Sequence, residues 1–171
     1  CRTDKSSLKN WPCLHSLQTM RVHALKLPKS ENSRFNSQLG LRITVQVPET
    51  HSQNVVDAVL TKDALTYGDY DSVTFKTALG TQQFKSIGTG RNSATRQVVE
   101  VPCCELSFFL PDDEVTVIQV LKLIYSAHPY EEPVIFIEPC TRTLHIRGID
   151  EDNPNRFWNN EPQDWGPTEH R

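Results

Sequence analysis

From Leu41 to Val47 the chain alternates, with Leu41, Ile43, Val45 and Val47 apolar against Arg42, Thr44 and Gln46. A period of two lays the apolar set on one face of a strand, which Pro48 ends. Thr50 and Gln53 have capping-box spacing, and Val55, Val56, Val59 and Leu60 then recur at helical intervals, predicting a first helix. Val73 and Phe75 against Ser72, Thr74 and Lys76 predict a second strand. The polar stretch from Thr77 to Arg96, punctuated by Gly80, Gly88 and Gly90, either holds extensions of the flanking strands or forms a mobile functional loop. Gln97 to Leu110 predicts a third strand, apolar at Val99, Val101, Leu106 and Phe108, with Pro102 marking a bulge or an edge. Asp113 and Glu114 make an acidic first turn for a second helix, whose expected buried stripe is Val115, Ile118, Leu121 and Ile124 and which Pro129 stops. Val134 to Glu138 predicts a fourth strand, and Leu144 to Arg147 a short fifth.

The order strand, helix, strand, strand, helix, strand predicts an α+β domain of ferredoxin-like type, a βαββαβ antiparallel sheet with two helices on one face. Three regions follow: a basic N-terminal extension over 1–39, the ferredoxin-like domain over 40–140, and a short strand with an acidic, aromatic tail over 141–171. Phe157, Trp158 and Trp165 in that tail are expected to dock on this domain or on a neighbour, because clustered rings are costly in water.

Charge divides the chain. Residues 1–40 carry seven Lys and Arg against Asp4 and Glu31, whereas residues 41–171 carry 11 basic and 19 acidic side chains. The acid-poor, Ser- and Leu-rich head resembles mitochondrial or plastid transit material, although a remnant of a longer fused protein or a solvated arm would have the same composition. An organelle, mitochondrial first, is therefore the expected location, with the cytoplasm as the alternative. Met20 is the single methionine and the chain opens on Cys1, which leads us to expect a processed or truncated start. The apolar runs near Val115 to Tyr125 and Val134 to Ile137 fall short of the roughly 20 residues that cross a bilayer. RNA contact is expected only within a larger particle, since residues 41–171 would repel phosphate.

The densest chemistry lies in Ala127-His128-Pro129-Tyr130-Glu131-Glu132-Pro133. His128 at a helix end could join a carboxylate in holding a metal, or could cap free carbonyls in a corner stiffened by two prolines. Glu131 and Glu132 are expected to diverge, which disfavours a paired-carboxylate catalyst. The second candidate is the loop through Gly88, Gly90, Arg91 and Arg96, whose backbone N–H groups and guanidinium charge suit an anion cradle, against the plainer reading of a solvated loop. Cys1, Cys13, Cys103, Cys104 and Cys140 make an odd set without a C-x-x-C pair, so reduced thiols are expected, with Cys103 and Cys104 on opposite faces of a strand. No nucleophile elbow or zinc-protease motif occurs, and no resident cofactor is expected.

Leu41-Arg42-Ile43-Thr44-Val45-Gln46-Val47-Pro48, Tyr67-Gly68-Asp69-Tyr70-Asp71-Ser72-Val73-Thr74-Phe75 and His128-Pro129-Tyr130-Glu131-Glu132-Pro133 together resemble the domain inserted in Nif-three-like proteins. The His-Pro-Tyr-Glu-x-Pro core is also similar to CutA divalent-cation tolerance proteins, and both groups have PII-like, ferredoxin-like folds. The resemblance runs from about Leu41 to Pro139. It implies a tendency to form trimers through sheet edges, with His128 to Pro133 near the subunit contact and Gly88 to Arg96 as counterpart of the PII ligand loop. Asp63 stands where the family's connection has glycine. The dimetal ligands of Nif-three-like proteins lie in a larger flanking domain that this sequence lacks, so hydrolase-like activity does not carry over.

Three functions follow as expectations. The first is a non-catalytic structural or interaction module, an accessory subunit of a large organellar complex that docks through its extensions. The second is a free-standing PII/CutA-like trimeric regulator that binds metal or anion. The third is a Nif-three-like metal hydrolase-like enzyme.

Overall fold

The computed structural model describes residues 34–160, and Trp165, Cys1, Cys13 and most of the basic extension lie outside them. The elements are β1 Phe35–Val47, α1 Glu49–Leu60, β2 Phe75–Lys76, β3 Gly80–Phe84, β4 Val99–Pro111, α2 Glu114–Ala127 and β5 Ile135–His145, followed by a 3-10 turn at Phe157–Asn159. All strand pairs are antiparallel, in the order β2-β4-β1-β5, with β3 also on β4. The expected α+β, ferredoxin-like order is what forms.

Ile43, Val45 and Val47 of β1 are fully buried beside Cys104, Leu106, Phe108 and Leu110 of β4. Val55 and Val59 of α1, and Val117, Val120 and Ile124 of α2, close over them into one core. The alternation read from Leu41 to Val47 thus set the helix-covered face, while Arg42, Thr44 and Gln46 occupy the other.

Several elements differ from the sequence reading for identifiable reasons. β1 starts at Phe35, inside the residues assigned to the extension, because β5 pairs with it from Phe35↔His145 to Val45↔Ile135. The two expected C-terminal strands are therefore one, and the 140/141 boundary falls within it. Pro139 fits there because β5 is an edge strand, where a missing N–H is tolerated. The second strand is broken in two: β2 pairs with Ser107 and Leu106, and β3 pairs with Cys103 through Val99. β3 occupies part of the stretch for which a mobile loop was the alternative. Pro102 lies beyond the reach of β1, whose pairing on β4 ends at Cys104, so it sits at a local edge.

The buried stripe of α2 is Val117, Val120 and Ile124, while Val115 and Ile118 point outward. Apolar residues recur at helical spacing on two sides of this helix, so periodicity alone could not set its rotation. Asp113 is the N-cap, accepting from Thr116 N–H at 3.0 Å, and that hydrogen bond holds its carboxyl below the usual range. The expected capping box on α1 does not form. Pro48 is its N-cap with no side-chain bond, the Thr50 hydroxyl meets His51, and Gln53 donates to Asp57. At the exit of α1, Asp63 Oδ1 accepts from Leu65 N–H at 2.7 Å, beside a left-handed Leu65 with φ 50°. An aspartate thereby supports the turn for which glycine was the family expectation.

Candidate functional site

The end of α2 and the start of β5 form a corner built around His128, whose side chain is 7% exposed. Its backbone N–H donates to Ile124 O and closes the helix. The Tyr130 N–H donates to His128 Nδ1 at 3.0 Å, which places the ring proton on Nε2 and makes Nε2 the donor to Gln46 O at 2.9 Å. One ring therefore staples β1, the end of α2 and the approach to β5. Both nitrogens are committed, so His128 could hold a metal only by releasing a backbone partner. The ring bonds a strand carbonyl and a following N–H, not the free carbonyls of α2 that the capping reading assigned to it.

Tyr130 packs edge-on against His128, with centroids 5.3 Å apart, and tilts against Phe84 of β3 at 6.3 Å. Burial pushes the Tyr130 hydroxyl pKa up. Pro133 is buried and Pro129 exposed, so the second proline anchors the corner to the core while the first faces solvent.

The two stretches singled out separately in the sequence meet here. The Arg91 N–H donates to Glu131 Oε2 at 3.4 Å, and Glu131 and Glu132 both bring an oxygen within 3.8 Å of where a Gly90 side chain would start. The expected divergence of these carboxylates gives way to convergence on the glycine loop. A Cβ at Gly90 would meet both at ordinary contact distance. The loop has internal structure: Ser86 Oγ accepts from Gly88 N–H and donates to Asn92 O, and Thr95 N–H donates to Ser86 O. Gly88 has φ +80°, and a Cβ there would press on Ala94. As an anion cradle the loop is compromised, since the backbone N–H of Arg91 already faces an internal carboxylate. The Arg91 and Arg96 side chains are exposed. Among the described residues, no group of three or more His, Cys, Asp or Glu is arranged to hold a metal ion.

Of the tail residues named in the sequence reading, Trp158 lies away from this corner, and Trp165 is outside the described residues. Trp158 donates from Nε1 to Glu151 O, and residues 150–160 fold around Asp150, which pairs with Arg34 at 3.0 Å and Arg156 at 3.1 Å. The bond from Asn153, with help from both guanidiniums, holds the Asp150 carboxyl below its usual range. This knot ties the entry to β1 to the segment after β5. Phe157 opens the 3-10 turn of the same segment.

Cys103 and Cys104 are buried on opposite faces of β4, as their adjacency predicted, and desolvation raises both thiol pKa values. Sequence reasoning missed Arg142 and Tyr67. The Arg142 guanidinium lies 3.9 Å from the Phe109 ring centroid and 5.2 Å from that of Tyr67, an arrangement that depends on strand register and leaves no local motif.

A NIF3-related protein of Bacillus cereus aligns with 66% of this chain at 24% identity and a TM-score of 0.52. What the two share is a fold. The aligned stretch is 29% of that protein, so the chain spans less than a third of its length. CutA from Xylella fastidiosa and the divalent cation tolerance protein of Thermus thermophilus align with 59% and 60% of the chain, at 11% and 16% identity. Their TM-scores are both 0.43, over 82% and 84% of those chains. No protein-family model and no curated protein matches the chain. The helices of the described residues are all too short or too polar to cross a membrane.

Proposed function

We propose that the chain is a non-catalytic interaction module that binds protein through the open edge of its sheet. The supporting observation is β5, an eleven-residue edge strand with β1 on one side and no strand of the described residues on the other. Edge backbone left unpaired is a template for another strand. Phe136 and Ile137 stand on it at 51% and 45% exposure, and α2, which leads into β5 through the His128 corner, turns Val115, Ile118 and Tyr125 outward at 62%, 44% and 56%. Apolar side chains beside an open edge are what a partner would cover.

The partner is either a second copy of the chain, as the resemblance to trimeric families implies, or a larger assembly in which this chain is an accessory subunit. The basic head favours an organellar, mitochondrial setting. In this reading the His128 staple is structural: it fixes the angle at which β5 leaves α2 and so presents the edge.

Light scattering over a concentration series tests this on the full chain, alongside Ile137→Lys. The proposal expects a mass above that of one chain, alone or with a co-purifying protein, and its loss in the variant. A wild-type protein that stays at the monomer mass and carries no partner from its native source would refute it.

A further inference from the structure

The sheet face opposite the helices carries a groove of about 330 Å³, at the place where the α1–β2 connection crosses the ends of β4 and β5. Phe75, Tyr67, Phe109, Arg42, Arg142 and Cys140 contribute to its lining. The volume equals that of roughly ten waters at liquid density and falls at the lower end of small-molecule sites.

Arg142 is fixed within it. Nε donates to Gln38 Oε1 at 2.9 Å and one terminal nitrogen donates to Thr66 O at 2.8 Å, while the guanidinium plane lies against Phe109. Tyr67 is in turn held by its hydroxyl bond to Thr143 O. Burial lowers the Arg142 pKa from its ordinary value, yet a guanidinium stays charged at any physiological pH. Among the described residues neither Arg142 nor Arg42 forms an ion pair with a carboxylate. Glu138 stands opposite Arg42 in the β1–β5 register, and even that pair is not made. Arg42 and Arg142 line the groove together with Cys140. Burial raises the Cys140 thiol pKa, the two guanidiniums lower it, and Glu138 raises it. Arg142 is half-buried and Arg42 exposed. Asp63 acts on Arg142, and Glu138 on Cys140, only through space, so an arriving anion would be the first to touch either guanidinium.

We propose that this groove binds a small aryl oxyanion, an aryl carboxylate or aryl phosphate, with its charged head between Arg42 and Arg142 and its ring against the aromatic side chains. The fork of a guanidinium matches both head groups, and the rings of Phe75 and Tyr67 offer a flat apolar wall. The site lies apart from the Gly88–Arg96 loop and does not depend on the interaction-module reading.

Titration of the full chain by calorimetry and by amide chemical shifts tests this with benzoate, phenyl phosphate, inorganic phosphate and neutral benzamide. We expect at least one aryl anion to bind with a Kd of about 1 mM or tighter, and benzamide at least about tenfold more weakly. Benzoate against phenyl phosphate separates the two head groups. Arg42→Gln changes an exposed side chain with no part in the core, and should weaken the aryl anion about tenfold or more. Arg142→Lys keeps the charge, loses the fork and should also weaken it. Failure of both aryl anions to bind, binding unmoved by Arg42→Gln, or inorganic phosphate binding as tightly as phenyl phosphate would overturn the proposal.

Discussion

Replacing His128 with alanine removes two hydrogen bonds at once and leaves two backbone groups without partners: the Gln46 carbonyl and the Tyr130 N–H. Each buried orphan costs about 1–3 kcal/mol. Tyr130 is half-buried, so water can reach its N–H in the variant, whereas the Gln46 carbonyl belongs to β1 beside fully buried Val45 and Val47. With the Tyr130 N–H rehydrated, the Gln46 carbonyl carries the cost, and the expected loss is about 1–3 kcal/mol, a sizeable share of the roughly 5–15 kcal/mol that holds a typical domain. Urea unfolding followed by circular dichroism measures it, and the midpoint should fall with an unchanged slope. A loss below about 0.5 kcal/mol would refute the staple, because the Gln46 carbonyl would then be no worse off without the ring. The same protein separates the staple from a metal role. If His128 were a ligand, zinc or copper would raise the wild-type midpoint by mass action and leave the variant unmoved; the staple predicts no metal-dependent difference.

Gly40→Ala should destabilise by about 1–3 kcal/mol, because the new methyl would overlap the Phe109 ring and the Leu110 carbonyl while β1 is held between β4 and β5; differential scanning calorimetry reads it, and an unchanged Tm would contradict the packing. Asp113 has a folded pKa below its unfolded value, so its contribution is complete above the unfolded pKa of about 4 and is lost as pH falls through the folded value. Acid titration followed by Tm should therefore show a smaller decline below about pH 4 in Asp113→Asn than in the parent chain; identical profiles would show that the cap is not felt. Raised thiol pKa values and burial predict that Cys103 and Cys104 resist iodoacetamide in the folded chain at neutral pH and react once urea unfolds it. Mass spectrometry locates the adducts, and rapid native labelling of either residue would contradict their placement.

Much of the fold was legible because the strongest periodicities were also the buried ones. Leu41 to Val47 alternates without interruption and became the central strand. The rotation of α2 was not legible, because Val115 and Ile118 satisfy helical spacing as well as Val117 and Val120 do, and only the sheet beneath decides between them. β5 was split in the reading because Pro139 and the polar run Thr141-Arg142-Thr143 look like a break. An edge strand can carry both, since only one of its sides is paired. At the site, the sequence identified the His128 corner and the Gly88–Arg96 loop as dense in chemistry. That they share a contact through Glu131 and Arg91 could not be read, because those residues are 40 positions apart and joined only through the sheet. The register that stacks Arg142 on Phe109 and beside Tyr67 is likewise a product of three separate elements.

Whether β5 is a docking edge is read most directly by hydrogen exchange of the 135–145 peptide, on the light-scattering peak that contains the chain at working concentration and again after dilution to the single-chain mass. The account predicts slow exchange along β5 and the outward face of α2 in the assembled form, rising on dilution while the β1 and β4 amides stay protected. Exchange along β5 that is the same at every concentration and in the native isolate, from a chain that never exceeds its own mass, would contradict it.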